Sequence, residues 1–110
     1  MKILNYISGD FCTPDSDEWL EDYSPATGEV IALIPKSGKD DVDKAVNAAL
    51  EALPSWSSLT NQERAAWLEK IADGLESKYE QIAELESKDT GKPISLAREV
   101  DAYRSVKNFR

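Results

Sequence analysis

Residues 29–53 read EVIALIPKSGKDDVDKAVNAALEAL, and the apolar period changes half-way along. From Glu29 to Ile34 the apolar residues run almost without interruption, which is the pattern of a well-buried strand, and Pro35 closes it. After Ser37, Val42, Ala45, Val46, Ala49, Leu50 and Leu53 recur at the spacing that lines one face of a helix. Ser37 and Asp40 make a capping signature at its start, and Pro54 is expected to end it.

Toward the amino end everything reads as extended. Ile3–Ile7 (ILNYI) is β-prone, Ser8-Gly9-Asp10 supplies a turn, and a second run starts at Phe11, so a hairpin is expected. Residues 14–18 are a polar loop. Trp19–Tyr23 (WLEDY) reads as a short strand ahead of the turn Ser24-Pro25-Ala26-Thr27-Gly28.

Toward the other end everything reads as helix. Thr60-x-x-Glu63 is a capping box, and Trp67, Leu68, Ile71, Ala72 and Leu75 form the stripe behind it. Tyr79, Ile82, Ala83 and Leu85 make a third face, either continuing that helix or following a bend near Ser77. Gly91 is suited to a left-handed helix end and Pro93 to the first turn of the next helix. That last helix is expected to put Ile94, Ala97, Val100 and Tyr103 on one face and to be unbroken at Arg110. Strands in residues 1–36 and helices in residues 37–110, without strand-helix alternation, make an α+β layout.

The totals narrow the function classes. The chain has 110 residues, enough for one small domain, with 13 Lys plus Arg against 21 Asp plus Glu and a net charge of −8. That excess repels phosphate backbones and anionic headgroups, which argues against nucleic acid and membrane surfaces as partners. No apolar run is long enough for a bilayer and no signal-peptide pattern is visible, so a soluble, cytoplasmic protein is expected. With no His and a single Cys, a zinc cluster, a His-dependent triad and an internal disulfide are all excluded within the chain. Cys12 reads as a half-buried strand residue, because a reactive thiolate needs neighbouring cations or a helix amino end. Gly91-Lys92 falls short of a phosphate-binding loop: Pro93 stands where Ser or Thr is required, and Glu86 where the upstream Gly belongs.

Several phrases together resemble the aldehyde dehydrogenase superfamily. Tyr23-Ser-Pro-Ala-Thr-Gly-Glu-Val30 is similar to the N-P-x-T-G-E-V turn of that family, with Ser24 in place of the usual Asn. Asp41–Val46 matches its Asp-Val-Asp-Lys-Ala-Val helix, Pro54–Ser57 its Pro-x-Trp-Ser phrase, and Glu86–Pro93 its Glu-x-x-Asp-x-Gly-Lys-Pro. Pro-Ser-Trp-Ser-Ser, Glu-Ser-Lys-Asp-x-Gly-Lys and Arg-Ser-Val-x-Asn-Phe-Arg look most like the 2-aminomuconic and 2-hydroxymuconic semialdehyde dehydrogenases.

The resemblance implies the amino-terminal part of an α/β NAD-binding domain from a longer enzyme. That enzyme oxidises an aldehyde to an acid with NAD, NADP remaining open, and is a homo-oligomer, dimer or tetramer. The family's Cys nucleophile, Glu base and cofactor-holding Lys fall beyond Arg110, so no catalytic or cofactor-binding residue is expected in this segment. The matching positions imply a monovalent cation, Na+ or K+, held by Asp89 with backbone oxygens at Asp22 and Tyr23. The competing reading makes Asp89 a local helix-end cap over the Gly91-Lys92 turn. Arg104, and less so Arg110, is expected to clamp a substrate carboxylate, against a plain solvated helix position. Trp56 and Trp67 read as core or interface aromatics. A non-catalytic fragment or partner-dependent structural module is the alternative to an enzyme.

Overall fold

The computed structural model describes residues 1–110, which divide into two compact units: residues 1–23 with 29–58, and residues 24–28 with 59–110. The strands and helices fall in the order that the periodicity dictates.

In the first unit, β1 (Asn5–Ile7) and β2 (Asp10–Cys12) pair antiparallel. Ser8 and Gly9 both take positive φ, 56° and 88°, the two-residue turn whose twist matches that of the flanking strands. β3 (Trp19–Tyr23) pairs antiparallel with β4 (Val30–Pro35). Asp22 faces Ala32 while Tyr23 faces Val30, so Ile31 is an extra residue and the ladder bulges there. The chain start runs parallel to β4: the Ile3 N–H donates to the Leu33 carbonyl at 2.9 Å, and the Leu33 N–H to that of Met1 at 2.8 Å. Ile3 was expected inside the first hairpin strand, which starts instead at Asn5.

Helix α1 (Lys39–Ser57) departs from expectation at both ends. Its cap lies one residue later than the Ser37/Asp40 reading. The Ser37 hydroxyl is taken up by Asn5, whose Nδ2 donates to it at 2.8 Å, so the turn closes at Gly38 instead. The Asp41 carboxylate accepts from the Gly38 N–H at 2.9 Å and from the Asp15 N–H at 3.0 Å, which ties loop 14–18 to the helix start. At the other end the helix runs through Pro54 for another turn. Proline removes only one backbone donor. Around it the Ser55, Ser57 and Ser58 hydroxyls donate to the carbonyls of Ala52, Pro54 and Ser55 and complete the last turn.

Those two backbone donors hold Asp41 below the usual carboxylate range, Gly38 first and Asp15 second, with the nearby Lys44 ammonium assisting. A depressed folded value means that the stabilisation is fully present above the unfolded value, roughly 3.9, and disappears as pH falls through the lower folded one. Asp41→Asn is therefore expected to flatten the acid limb of the stability profile and leave its neutral-pH slope unchanged. Acid titration of the far-UV circular dichroism of both proteins checks this.

The second unit is built from α2 (Asn61–Glu76), α3 (Tyr79–Thr90) and a last helical stretch. The capping box forms as read: Glu63 N–H donates to the Thr60 hydroxyl at 3.2 Å, and Thr60 N–H to the Glu63 carboxylate at 2.7 Å. The chain bends at Ser77-Lys78, the second of the two possibilities. Gly91 ends α3 at φ 75°, in the left-handed region. Pro93 sits at the cap position, just before the helical turn it was expected to occupy.

The last stretch consists of α4 (Ile94–Leu96), a π-helical turn (Ala97–Ala102) and α5 (Tyr103–Lys107). An unbroken 3.6 period would bury Ile94, Ala97, Val100 and Tyr103. The wider π turn rephases the helix, so Ala97, Ala102 and Val106 are buried and Tyr103 is 48% exposed. Helical structure gives way to a turn at Asn108-Phe109.

The core is small. Ala83, Ala97 and Ala102 are fully buried, with Tyr79 and Ile82 packed against them. Methyl-sized side chains let α3 and the π turn approach closely. The α1 stripe stays open: Val42, Val46, Leu50 and Leu53 are 51–58% exposed.

Candidate functional site

The break that ends α3 and starts the last helix organises the chemistry of the second unit. The Gly91 N–H donates to the Ser87 carbonyl at 2.9 Å, and the Ser87 hydroxyl to the Lys92 carbonyl at 2.7 Å. A Cβ at Gly91 would lie 2.8 Å from Cγ of Pro25, so the turn at 24–28 sits directly on the helix end. The Lys92 ammonium lies 2.9 Å from Glu86 Oε1 on α3 and 2.7 Å from Asp101 Oδ2 in the π turn. All three side chains are about one-third exposed or less, and hydrogen bonds to Asp101 and then Glu86 push the Lys92 pKa up. Lys92 thus stays charged and committed to two carboxylates, which removes it as a phosphate ligand.

Arg104 stands on α5, exposed, and its guanidinium has no hydrogen bond or ion pair within the chain. Lys107, one turn on, donates to the Tyr103 hydroxyl at 3.1 Å. Arg110 is different. It reaches Glu69 at 3.2 Å, Asp73 at 2.6 Å and Glu76 at 3.0 Å, and these acids raise its pKa further above the ordinary arginine value. It ties residue 110 to α2, its guanidinium committed to three acids.

Asp89 lies in the last turn of α3 and is exposed. The local cap expected of it is built by other groups: the Thr90 hydroxyl accepts from the Lys92 N–H at 3.4 Å, and Thr90 itself donates to the Glu86 carbonyl. Asp22 and Tyr23 lie in the first unit, where the β3–β4 ladder bulges. The Tyr23 hydroxyl donates to the Glu21 carboxylate, which pushes the phenol pKa up. Cys12 is a free, half-buried strand residue opposite Asn5, as its surroundings predict. Trp56 and Trp67 are 40% and 52% exposed, neither in a core, and Lys70 stands 4.3 Å over the Trp67 ring. No helix is long and apolar enough to cross a membrane.

Sequence reasoning missed the Glu86–Lys92–Asp101 cluster and the bond from the Tyr79 hydroxyl to the Arg98 carbonyl, 2.5 Å long. The sequence signal was no more than acids on both sides of the Gly-Lys-Pro break, Glu86 before it and Asp101 after it.

The aldehyde dehydrogenase family model matches residues 11–110. The chain belongs to the aldehyde dehydrogenase family. It is 50% identical to the 2-aminomuconic semialdehyde dehydrogenase of Homo sapiens over 110 residues, all of this chain and 22% of that protein. To the 2-hydroxymuconic semialdehyde dehydrogenase of Pseudomonas sp. (strain CF600) it is 40% identical, over 99% of this chain and 23% of the other. The NAD+ complex of aldehyde dehydrogenase from Bacillus cereus superposes with a TM-score of 0.94 at 37% identity, over all of this chain and 23% of that one. The chain therefore spans less than a quarter of the length of these aldehyde dehydrogenases, and the narrower likeness to the muconic semialdehyde enzymes agrees with the phrases quoted above.

Proposed function

We propose that this chain is the amino-terminal part of the cofactor domain of an NAD-dependent aldehyde dehydrogenase acting on a carboxylate-bearing semialdehyde. The observation that carries the reading is Arg104, an exposed guanidinium left without an internal partner in a chain of net charge −8. Of the four arginines the other three are engaged within the chain, Arg64 by the Leu59 carbonyl and Asn61, Arg98 by Glu80, and Arg110 by three acids. An arginine outside those pairings is free to grip an external carboxylate through two parallel N–H···O bonds. The names of the muconic semialdehyde relatives point to the same substrate class.

NAD, when bound, supplies the hydride acceptor. The residues here do not fit it. No G-x-G-x-x-G is present, and both Gly-Lys pairs have their ammonium on acids, Lys39 on Asp43 and Lys92 between Glu86 and Asp101. No step of hydride transfer is assigned to residues 1–110. What this segment contributes is substrate orientation: Arg104 fixes the far carboxylate, so that the aldehyde end is delivered in one pose. A monovalent cation, Na+ or K+, suits the Asp89 carboxylate by donor type, since hard cations take oxygen ligands. The enzyme is expected to be a cytoplasmic homo-oligomer.

The test is direct. The enzyme that carries this segment is expected to form NADH from a muconic-type semialdehyde with higher kcat/KM than from a neutral aldehyde of similar size. A preference for the neutral aldehyde would overturn the assignment.

A further inference from the structure

The π turn at Ala97–Ala102 is held from outside itself. A π turn spends an extra residue, and its i to i+5 bonding leaves a carbonyl without its usual partner. In this chain the Tyr79 hydroxyl, from the first turn of α3, donates to the Arg98 carbonyl inside the turn at 2.5 Å. The far end of α3 supplies a second tether. Lys92, just past Gly91, joins Glu86 of α3 to Asp101 near the end of the π turn, at 2.9 and 2.7 Å. A third contact, Arg98 Nε to the Glu80 carboxylate at 3.0 Å, lies on the exposed side. Between the tethers the fully buried residues are alanines, with Tyr79 and Ile82 packed against them.

Everything downstream inherits the phase of this turn. Relaxing one extra residue back into a regular helix rotates the following side chains by about 100° around the axis. Arg104 is the second residue after the turn, and the same rotation would carry each following side chain to the place its successor now holds, Arg104 to that of Ser105 and Ser105 to the buried place of Val106.

We infer that Tyr79 and Lys92 are positioning residues that hold the π turn and so set the direction in which Arg104 points toward the substrate carboxylate. This rests on the reading of Arg104 above. Neither side chain needs to touch substrate; each acts through the helix that carries the guanidinium.

The experiment uses the enzyme that carries this segment, as wild type, Tyr79→Phe, Lys92→Met, Lys92→Arg and Arg104→Ala. Steady-state kinetics are measured with a carboxylate-bearing semialdehyde and a neutral aldehyde of similar size, and amide hydrogen exchange is followed over residues 97–106. Tyr79→Phe is expected to lower kcat/KM roughly fivefold on the carboxylate substrate, the scale of one lost hydrogen bond. Lys92→Met is expected to lower it about tenfold, Lys92→Arg to restore most of the loss, and neutral-aldehyde turnover to hold. Exchange at 97–106 is expected to quicken in Tyr79→Phe and Lys92→Met. Unchanged exchange in both variants overturns the proposal whatever Arg104 does. Quickened exchange with equal losses on both substrates also overturns it, leaving the tethers merely structural. Equal losses in Arg104→Ala itself would instead remove the carboxylate reading, and with it the functional consequence drawn here.

Discussion

Arg104→Ala is expected to lower kcat/KM for a carboxylate-bearing semialdehyde roughly 10- to 150-fold in the enzyme that carries this segment. The range follows from losing a charge-assisted contact of about 1.5–3 kcal/mol, each 1.36 kcal/mol being about tenfold in rate. A neutral aldehyde of similar size never makes the contact and is expected to be turned over nearly as before. The contrast between substrates is the informative quantity. Equal losses on both would mean that Arg104 serves its helix, and no loss on either would return it to the solvated face. Removing it opens no cavity, because the side chain is exposed and unpaired.

The second large effect is on stability, at Gly91. Two independent costs meet there. A residue with a side chain pays roughly 1–2 kcal/mol to hold the left-handed conformation that Gly91 adopts at φ 75°. The new Cβ would also lie 2.8 Å from Pro25 Cγ, and forcing a tight contact apart costs roughly 1–3 kcal/mol. Gly91→Ala is thus expected to destabilise the chain by roughly 2–5 kcal/mol in urea unfolding, the sum of the two ranges. The costs separate in a second background: with Pro25→Ala the steric part disappears and only the conformational part remains. An undiminished penalty there would show that the turn at 24–28 does not press on the helix end.

The parts legible in the sequence are those decided within a few residues. Thr60 and Glu63 satisfy each other's backbone across one turn, so the box can be read from two letters three apart. Gly91 and Pro93 punctuate α3 for local reasons, and Ser8-Gly9 sets the hairpin twist by itself. The parts not legible depend on distant groups. The cap of α1 moved by one residue because Asn5, 32 positions away, binds Ser37. The parallel pairing of residues 1–3 with Leu33 joins strands whose patterns carry no mark of each other. The π turn lies in Ala-Arg-Glu-Val-Asp-Ala, which contains no Gly or Pro to announce it. It is held by Tyr79 and Lys92 from outside, so the helical period continued smoothly through it placed Tyr103 on the wrong face. For the site, Arg104 and Asp89 were found by resemblance and by residue type. That Arg104 has no partner while Arg110 has three could come only from three dimensions.

The open stripe along α1 has a thermodynamic consequence. Val42, Val46, Leu50 and Leu53 are already more than half in water in the folded chain, so unfolding hydrates only the remainder of each. The heat-capacity increase on unfolding comes mainly from newly wetted apolar surface, and the steepness of a denaturant transition follows newly exposed area of every kind. A chain whose fully buried core residues are alanines has little of either to release. Its stability curve is accordingly shallow against temperature and its urea transition gradual. Covering the stripe with further apolar surface would steepen both without altering a single residue of the helix.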